Sequence, residues 1–300
     1  MLPGARNHGT RLIRHFGPAA LFIIVTTLLS QSTPSSRWLR QDAAAPFLHV
    51  AHALGAIDSA VYTNSAEAFH SNYAAGFRHF EVDLMELKDG NLVAFHNLVD
   101  THEFGSIAHI SSFTLGEFLR QRYYQRYTPL SASGVLQLLQ RHDDAYLIVD
   151  AKNSSLRRQT DDELPDLNGP RRVYTALSSL VSQHSPKLAG RIIPQVYSLD
   201  DLEWIGPLGF SEQVIWTQYR EPVTVENLIL ALRRHPQIRW VAMKPSQICC
   251  DIAARIAPYG VSLLAFTINE SAEMRRLNEL GVRGIYTDFL RPSATRGRPQ

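Results

Sequence analysis

Residues 77–97, FRHFEVDLMELKDGNLVAFHN, place Glu81 and Asp83 one residue apart inside an otherwise apolar run, then a turn at 88–91, then His96. Alternation along a strand puts the two carboxylates on one face and Phe80, Val82 and Leu84 on the other. Carboxylates that close repel one another and raise one pKa unless a cation joins them. A hard divalent ion bound by oxygens, Mg²⁺ or Ca²⁺, is the simplest remedy. The alternative is a structural network in which Lys or Arg neutralises each acid. Polar residues end other apolar runs in the same way: His52 after FLHVA, Asp150 and Lys152 in LIVDAK, then Gln195, Gln218, Lys244, Asn269 and Asp288. Such an inventory suits metal-assisted phosphate chemistry. Acids would hold the ion, lysine and the ion would neutralise phosphate oxygens, and histidines would move protons. His96 by itself, a lone histidine after an apolar run, is more often structural than catalytic. Gln195 and Lys244 at their strand ends are candidates for contact with the phosphate. His79 alternates with the acids and is a further candidate for their face.

The elements that must position these residues alternate. Eight β-rich runs fall at 47–52, 78–84, 145–150, 191–197, 213–219, 238–244, 262–267 and 284–289. Helical patterns lie between them at 65–75, 132–141, 172–184, 225–234, 248–257 and 271–280. Ser65 is a candidate N-cap, and Gly76, Gly260 and Gly281 follow helices where a left-handed cap is wanted. Strands alternating with helices argue for a parallel sheet of βαβ units. Eight of them in roughly 240 residues predict an α/β fold, the (β/α)8 TIM barrel, whose chemistry collects at the C-terminal strand ends. A doubly wound open sheet is the alternative, but AHALGAIDS after the first strand has no glycine-rich phosphate loop.

The whole chain has 300 residues, 45% hydrophobic and 19% charged, with a formal charge of +2. Its basic residues are scattered, so no nucleic-acid partner is expected. Arg6, Arg11 and Arg14 precede the uncharged run PAALFIIVTTLL at 18–29 and a polar exit. That order predicts a signal peptide or N-terminal membrane anchor over 1–34, hence an exported protein, periplasmic, secreted or membrane-anchored. A linker follows at 35–45, the barrel domain at 46–292 and a disordered tail at 293–300. Cys249 and Cys250 are adjacent, which disfavours a disulfide; they read as small apolar side chains on a helix. Residues 153–171 read as a long polar loop over the active-site face. EFLRQRYYQRY at 117–127 reads as a surface helix, with contact to lipid headgroups as the alternative.

LHVAHALG (48–55), NSAEAF (64–69) and the 76–97 stretch together resemble the glycerophosphodiester phosphodiesterases and the wider phospholipase-C-like phosphodiesterase superfamily. That family's pattern runs His-Arg-Gly, Glu-Asn-Thr, Glu-x-Asp, an Asp-Gly turn and His-Asp. The likeness continues through PLSASGVLQLL (129–139), YLIVDAK (146–152) and LLAFTINESAEMRRLNELGVRGIYTDF (263–289). The resemblance implies a phospholipase-C-like TIM barrel that hydrolyses a phosphodiester. It makes Glu81, Asp83 and Asp150 metal ligands, His52 and His96 the general acid/base pair, and Lys152 a phosphate contact. This chain departs from the pattern at Ala53 (for Arg), Thr63 (for Glu), Asn97 (for Asp), Asp150 (for Glu) and Phe266 (for Trp). The departures suggest a divergent branch whose substrate is a lipid or a larger phosphodiester. The expected partner is therefore a small-molecule or lipid phosphodiester, with membrane association as an option and the chain a monomer. Two other functions fit the same residues: phospholipase C/D-like activity on membrane lipid, and a non-catalytic barrel that binds a phosphate ligand.

Overall fold

The computed structural model of the chain describes residues 47–96, 99–100, 108–152, 169–219, 223–249 and 251–292. The expected leader, linker and tail, Asn97, Cys250 and most of the 153–171 loop lie outside the described residues. Eleven strands follow in chain order: β1 (Leu48–Ala51), β2 (His79–Glu86), β3 (Leu92–Ala94), β4 (Val99–Asp100), β5 (Ala108–His109) and β6 (Tyr146–Ala151). Then come β7 (Ile192–Val196), β8 (Val214–Thr217), β9 (Ile238–Met243), β10 (Ser262–Ala265) and β11 (Gly284–Thr287). Parallel pairing runs β2-β6-β7-β8-β9-β10-β11-β1, and β1 returns to β2, so eight strands close a barrel. These are the eight runs expected from the sequence. Helices α1 (Ala66–Ala74), α2 (Leu115–Leu119), α3 (Ala132–Arg141), α4 (Gly169–His184), α5 (Asp201–Ile205), α6 (Val225–Arg234), α7 (Ile252–Ile256) and α8 (Ser271–Glu279) complete the order.

Strand alternation builds two cores. Phe80, Val82 and Leu84 point outward into the layer shared with Phe69, Leu136 and Leu139 of the helices. Val50, Ile148, Ile193, Ile215, Trp240 and Leu264 point inward and fill the barrel, as a packed interior rather than a pore. Closure also needs a small residue between β1 and β10. A Cβ on Gly284 would stand 2.7 Å from Leu48 Cβ, 2.7 Å from Leu264 Cδ2 and 2.9 Å from the Leu48 carbonyl oxygen. The backbone oxygen cannot swing aside. Gly284→Ala is therefore expected to cost about 1–3 kcal/mol as overpacking, read as a lowered midpoint in urea; an unchanged midpoint would show that the seam yields.

Local chemistry sets the helix ends. The Ser65 hydroxyl accepts from the Ala68 N–H at 3.2 Å, the expected N-cap, and Gly76, Gly260 and Gly281 all have positive φ. Thr114 and Glu117 form a reciprocal capping box on α2, a short helix that the sequence reading passed over. Two expectations are corrected here. Residues 117–127 do not form a surface helix: the helix stops at Leu119, and Phe118, Tyr123 and Tyr127 are buried in a separate small core with Met85, Leu87, Val93 and Phe95. The aromatics face inward because β2 continues into a hairpin, Leu84 opposite Ala94, which gives them an apolar platform. Cys249 is exposed and precedes α7, so it is not a buried helical residue. No helix among the described residues is long and apolar enough to cross a membrane.

Candidate active site

The barrel register assembles the acids. Asp83 on β2 lies opposite Asp150 on β6, and Asp150 opposite Gln195 on β7. Glu81 is one inward position earlier on β2. One ligand oxygen or more from each of Glu81, Asp83 and Asp150 falls within 4.8 Å of the others, and all three residues are buried. Each carboxylate has at least one oxygen engaged by the chain. Glu81 Oε2 accepts from the Ala53 N–H at 2.7 Å, and Asp83 Oδ2 from the Asn64 amide at 2.8 Å. Asp150 Oδ2 accepts from the Tyr197 hydroxyl at 2.7 Å and from the Lys152 ammonium at 2.5 Å. Asp150 Oδ1 is buried without a hydrogen-bond partner, and Asp83 Oδ1 is paired with the Lys152 ammonium at 2.8 Å.

One ammonium against three carboxylates leaves an excess of negative charge. Burial, then Asp83 and Asp150, push the Glu81 pKa well up, against the pull of Lys152 and the Ala53 N–H. Burial acts the same way on Asp83, but Lys152 above all, with His96 and His52, holds it below the usual carboxylate range. Lys152 is itself disfavoured by burial, yet Asp150 and Asp83 raise it well above the ordinary lysine value. A buried, under-compensated acid cluster with an unbonded oxygen is the donor set for a hard divalent cation. The three acids could hold a divalent metal.

The histidines arrive from two directions. β1 pairs with β11 so that Ala51 lies opposite Thr287. The next residue on each strand, His52 and Asp288, then stand side by side, with His52 Nδ1 3.0 Å from Asp288 Oδ1. Asn269 braces that carboxylate: its amide donates to Asp288 Oδ2 at 2.7 Å, and its oxygen accepts from the Asp288 N–H at 2.8 Å. His96 comes from the hairpin, where the Phe95 N–H donates to the Asp83 carbonyl at 3.0 Å. The two imidazoles end 6.2 Å apart, centroid to centroid. Tyr62 adjoins both, 5.0 Å from His52 and 4.5 Å from His96.

Six sequence candidates thus converge: His52, His96, Glu81, Asp83, Asp150 and Lys152. The other two make different contacts. Gln195 is buried beside Asp150, and its side-chain oxygen is taken by the Tyr286 hydroxyl at 2.7 Å. Lys244 lies at the end of β9 with its ammonium 4.4 Å from the Tyr219 ring centroid, and it has no carboxylate within ion-pair range among the described residues. His79 does face inward, but at the opposite end of β2, stacked on Tyr146 at 5.3 Å, and burial drives its pKa down to about 3. Three residues escaped the sequence-based site, Tyr62, Tyr197 and Asp288, while Asn64 figures there only as part of the Glu-Asn-Thr pattern, with no role. Asp288 had a signal, as a polar residue at a strand end, but its pairing with His52 depends on closure of the barrel.

No family model and no curated protein matches the sequence. The likeness is to solved structures. A candidate glycerophosphoryl diester phosphodiesterase from Silicibacter pomeroyi superposes with a TM-score of 0.66 at 17% identity, over 84% of this chain and 93% of that one. An Oleispira antarctica phosphodiesterase, solved with the product sn-glycerol-3-phosphate, gives 0.64 at 17% identity over 81% and 93%. A glycerophosphodiester phosphodiesterase from Thermotoga maritima gives 0.60 at 17% identity over 81% and 94%. The chain is a closed (β/α)8 barrel of the fold these phosphodiesterases share.

Proposed function

We propose that this protein is a metal-dependent phosphodiesterase of the glycerophosphodiester phosphodiesterase family, acting on a glycerophosphodiester-like or lipid-derived diester. The observation that carries this reading is the meeting of the Glu81–Asp83–Asp150 cluster with His52 and His96 at one barrel mouth. A divalent ion bound by the three acids would polarise the phosphoryl oxygens and stabilise charge on the way to the transition state. The chain's own residues supply the proton transfers. Asp288 accepts from His52 Nδ1, which fixes the tautomer whose Nε2 can take a proton from the attacking hydroxyl. His96, across the mouth, gives a proton to the departing alkoxide. Lys152 holds Asp83 and Asp150 together and places a positive charge beside the phosphate position.

Lipid is a second reading of the same site, favoured by one observation. Tyr219 after β8 and Phe289 after β11 are 52% and 48% exposed at the mouth, where apolar area suits an acyl chain or a membrane surface. One assay separates the readings. Purified protein is expected to hydrolyse bis-p-nitrophenyl phosphate or a glycerophosphodiester with Mg²⁺ or Ca²⁺ and to stop when chelator is added. Turnover confined to phospholipid vesicles would select the lipase reading. Failure on every soluble and lipid diester with either ion would leave a phosphate-binding barrel without catalysis.

A further inference from the structure

Tyr62 touches both imidazoles, yet none of the motifs above includes it. Its φ of 60° lies in the left-handed region, which a bulky side chain seldom adopts unless its surroundings over-determine it. Those surroundings are visible. The Asn64 N–H donates to the Ala53 carbonyl at 3.2 Å, the Asn64 amide bonds Asp83, and the Thr63 and Ser65 hydroxyls are 2.9 Å apart. Thr63, Asn64 and Ser65 are fully buried. The segment is pinned, and Tyr62 is the half-buried residue it presents to the mouth.

Among the described residues, the buried tyrosine hydroxyls are engaged. Tyr123 donates to the Ala94 carbonyl, Tyr174 to Val149, Tyr197 to Asp150 and Tyr286 to Gln195. The Tyr62 hydroxyl has no such bond to any described residue. Beside His52, the position that carries an arginine in the resembling family is Ala53, whose N–H is spent on Glu81. The mouth has two histidines to move protons, but Ala53 offers no side-chain donor beside them.

We propose that the Tyr62 hydroxyl is a substrate contact, donating a hydrogen bond to a non-bridging phosphoryl oxygen of a diester held between His52 and His96. This rests on the phosphodiesterase reading and adds a residue to its site. The ring packs against both imidazoles, and the pinned left-handed backbone holds it there. Burial, then the charges of Asp288, Asp83 and Glu81, raise the Tyr62 pKa against a smaller opposing effect of Lys152. The phenol therefore keeps its proton at neutral pH and remains a donor. A neutral donor is also compatible with neighbouring carboxylates, where a phenolate would repel the phosphate.

Tyr62→Phe keeps the ring and removes only the hydroxyl. With the metal present, it is expected to weaken inorganic phosphate binding by about 10-fold in calorimetry and to lower kcat/KM on bis-p-nitrophenyl phosphate by about 10- to 100-fold, the range for one hydrogen bond to a charged group. Divalent-ion affinity should not change. If Tyr62→Phe equals wild type in both measurements while Tyr62→Ala loses activity, the ring is only a spacer between the histidines and the contact is wrong. That result leaves the phosphodiesterase reading standing. Wild-type protein that neither binds phosphate nor cleaves any diester would instead overturn that reading, and the Tyr62 contact with it.

Discussion

His52→Ala is expected to lower kcat/KM on a phosphodiester by about a thousandfold, within the 10²–10⁴ range of a lost general acid or base, with divalent-ion binding retained. The size of the effect follows from geometry. His52 is held from behind by Asp288, itself fixed twice by Asn269, so its remaining ring nitrogen is aimed rather than free to rotate. Little else depends on it. The imidazole lies outside the apolar clusters of the barrel and its helices, and Asp288 keeps both bonds to Asn269 when the ring is removed. Circular dichroism and melting temperature should therefore match wild type. His96→Ala belongs to the same experiment, because a proton taken on one side of the phosphorus must be returned on the other. Near-wild-type turnover in either variant would break the acid/base assignment.

How much of this site could be read from the sequence depended on the distance over which each feature is specified. Glu81, Asp83 and Asp150 were legible because a carboxylate in a run of Phe, Val and Leu has no place on a strand's outer face, and period-two alternation alone aims it inward. The eight strands were legible for the same reason. His96 was placed after a turn by the Asp-Gly pair, but its role came only from the family resemblance, because a lone histidine after a strand carries no signal of its own. The pairing of His52 with Asp288, 236 residues apart, was not, since it exists only because β11 closes onto β1. Tyr62 was missed because its position depends on left-handed backbone at a bulky residue, which no local propensity announces. The 117–127 stretch misled for a different reason. Its basic residues suggested a wet surface, whereas the hairpin supplied Phe118, Tyr123 and Tyr127 with an apolar platform that arises from distant residues.

Glu81→Gln is expected to weaken divalent-ion binding by two orders of magnitude or more and, in chelator at neutral pH, to raise the melting temperature. Both effects come from one charge. The amide can still accept the Ala53 N–H through its oxygen, so the loop after β1 keeps its anchor, while the ion loses one of three anionic ligands. Without an ion, the glutamate is a liability, since burial foremost, and then Asp83 and Asp150, favour its neutral form. An acid whose pKa is higher in the folded state binds more protons there than in the unfolded chain. Stability therefore falls as pH rises from about 4.5, the unfolded carboxyl value, toward the folded pKa. Glutamine removes that slope. Asp83, shifted the other way, contributes stability above about 3.9 that is lost in acid. Because it interacts with Glu81, the difference between the two proteins reports the pair, with loss of the Glu81 charge as its origin. Melting curves in chelator from pH 4 to 7 should show the variant gaining on wild type as pH rises, and added Mg²⁺ or Ca²⁺ should reverse the order. A variant that tracks wild type across that range, with unchanged ion affinity, would mean that Glu81 is neutralised within the protein and that the ion, if one binds, sits elsewhere.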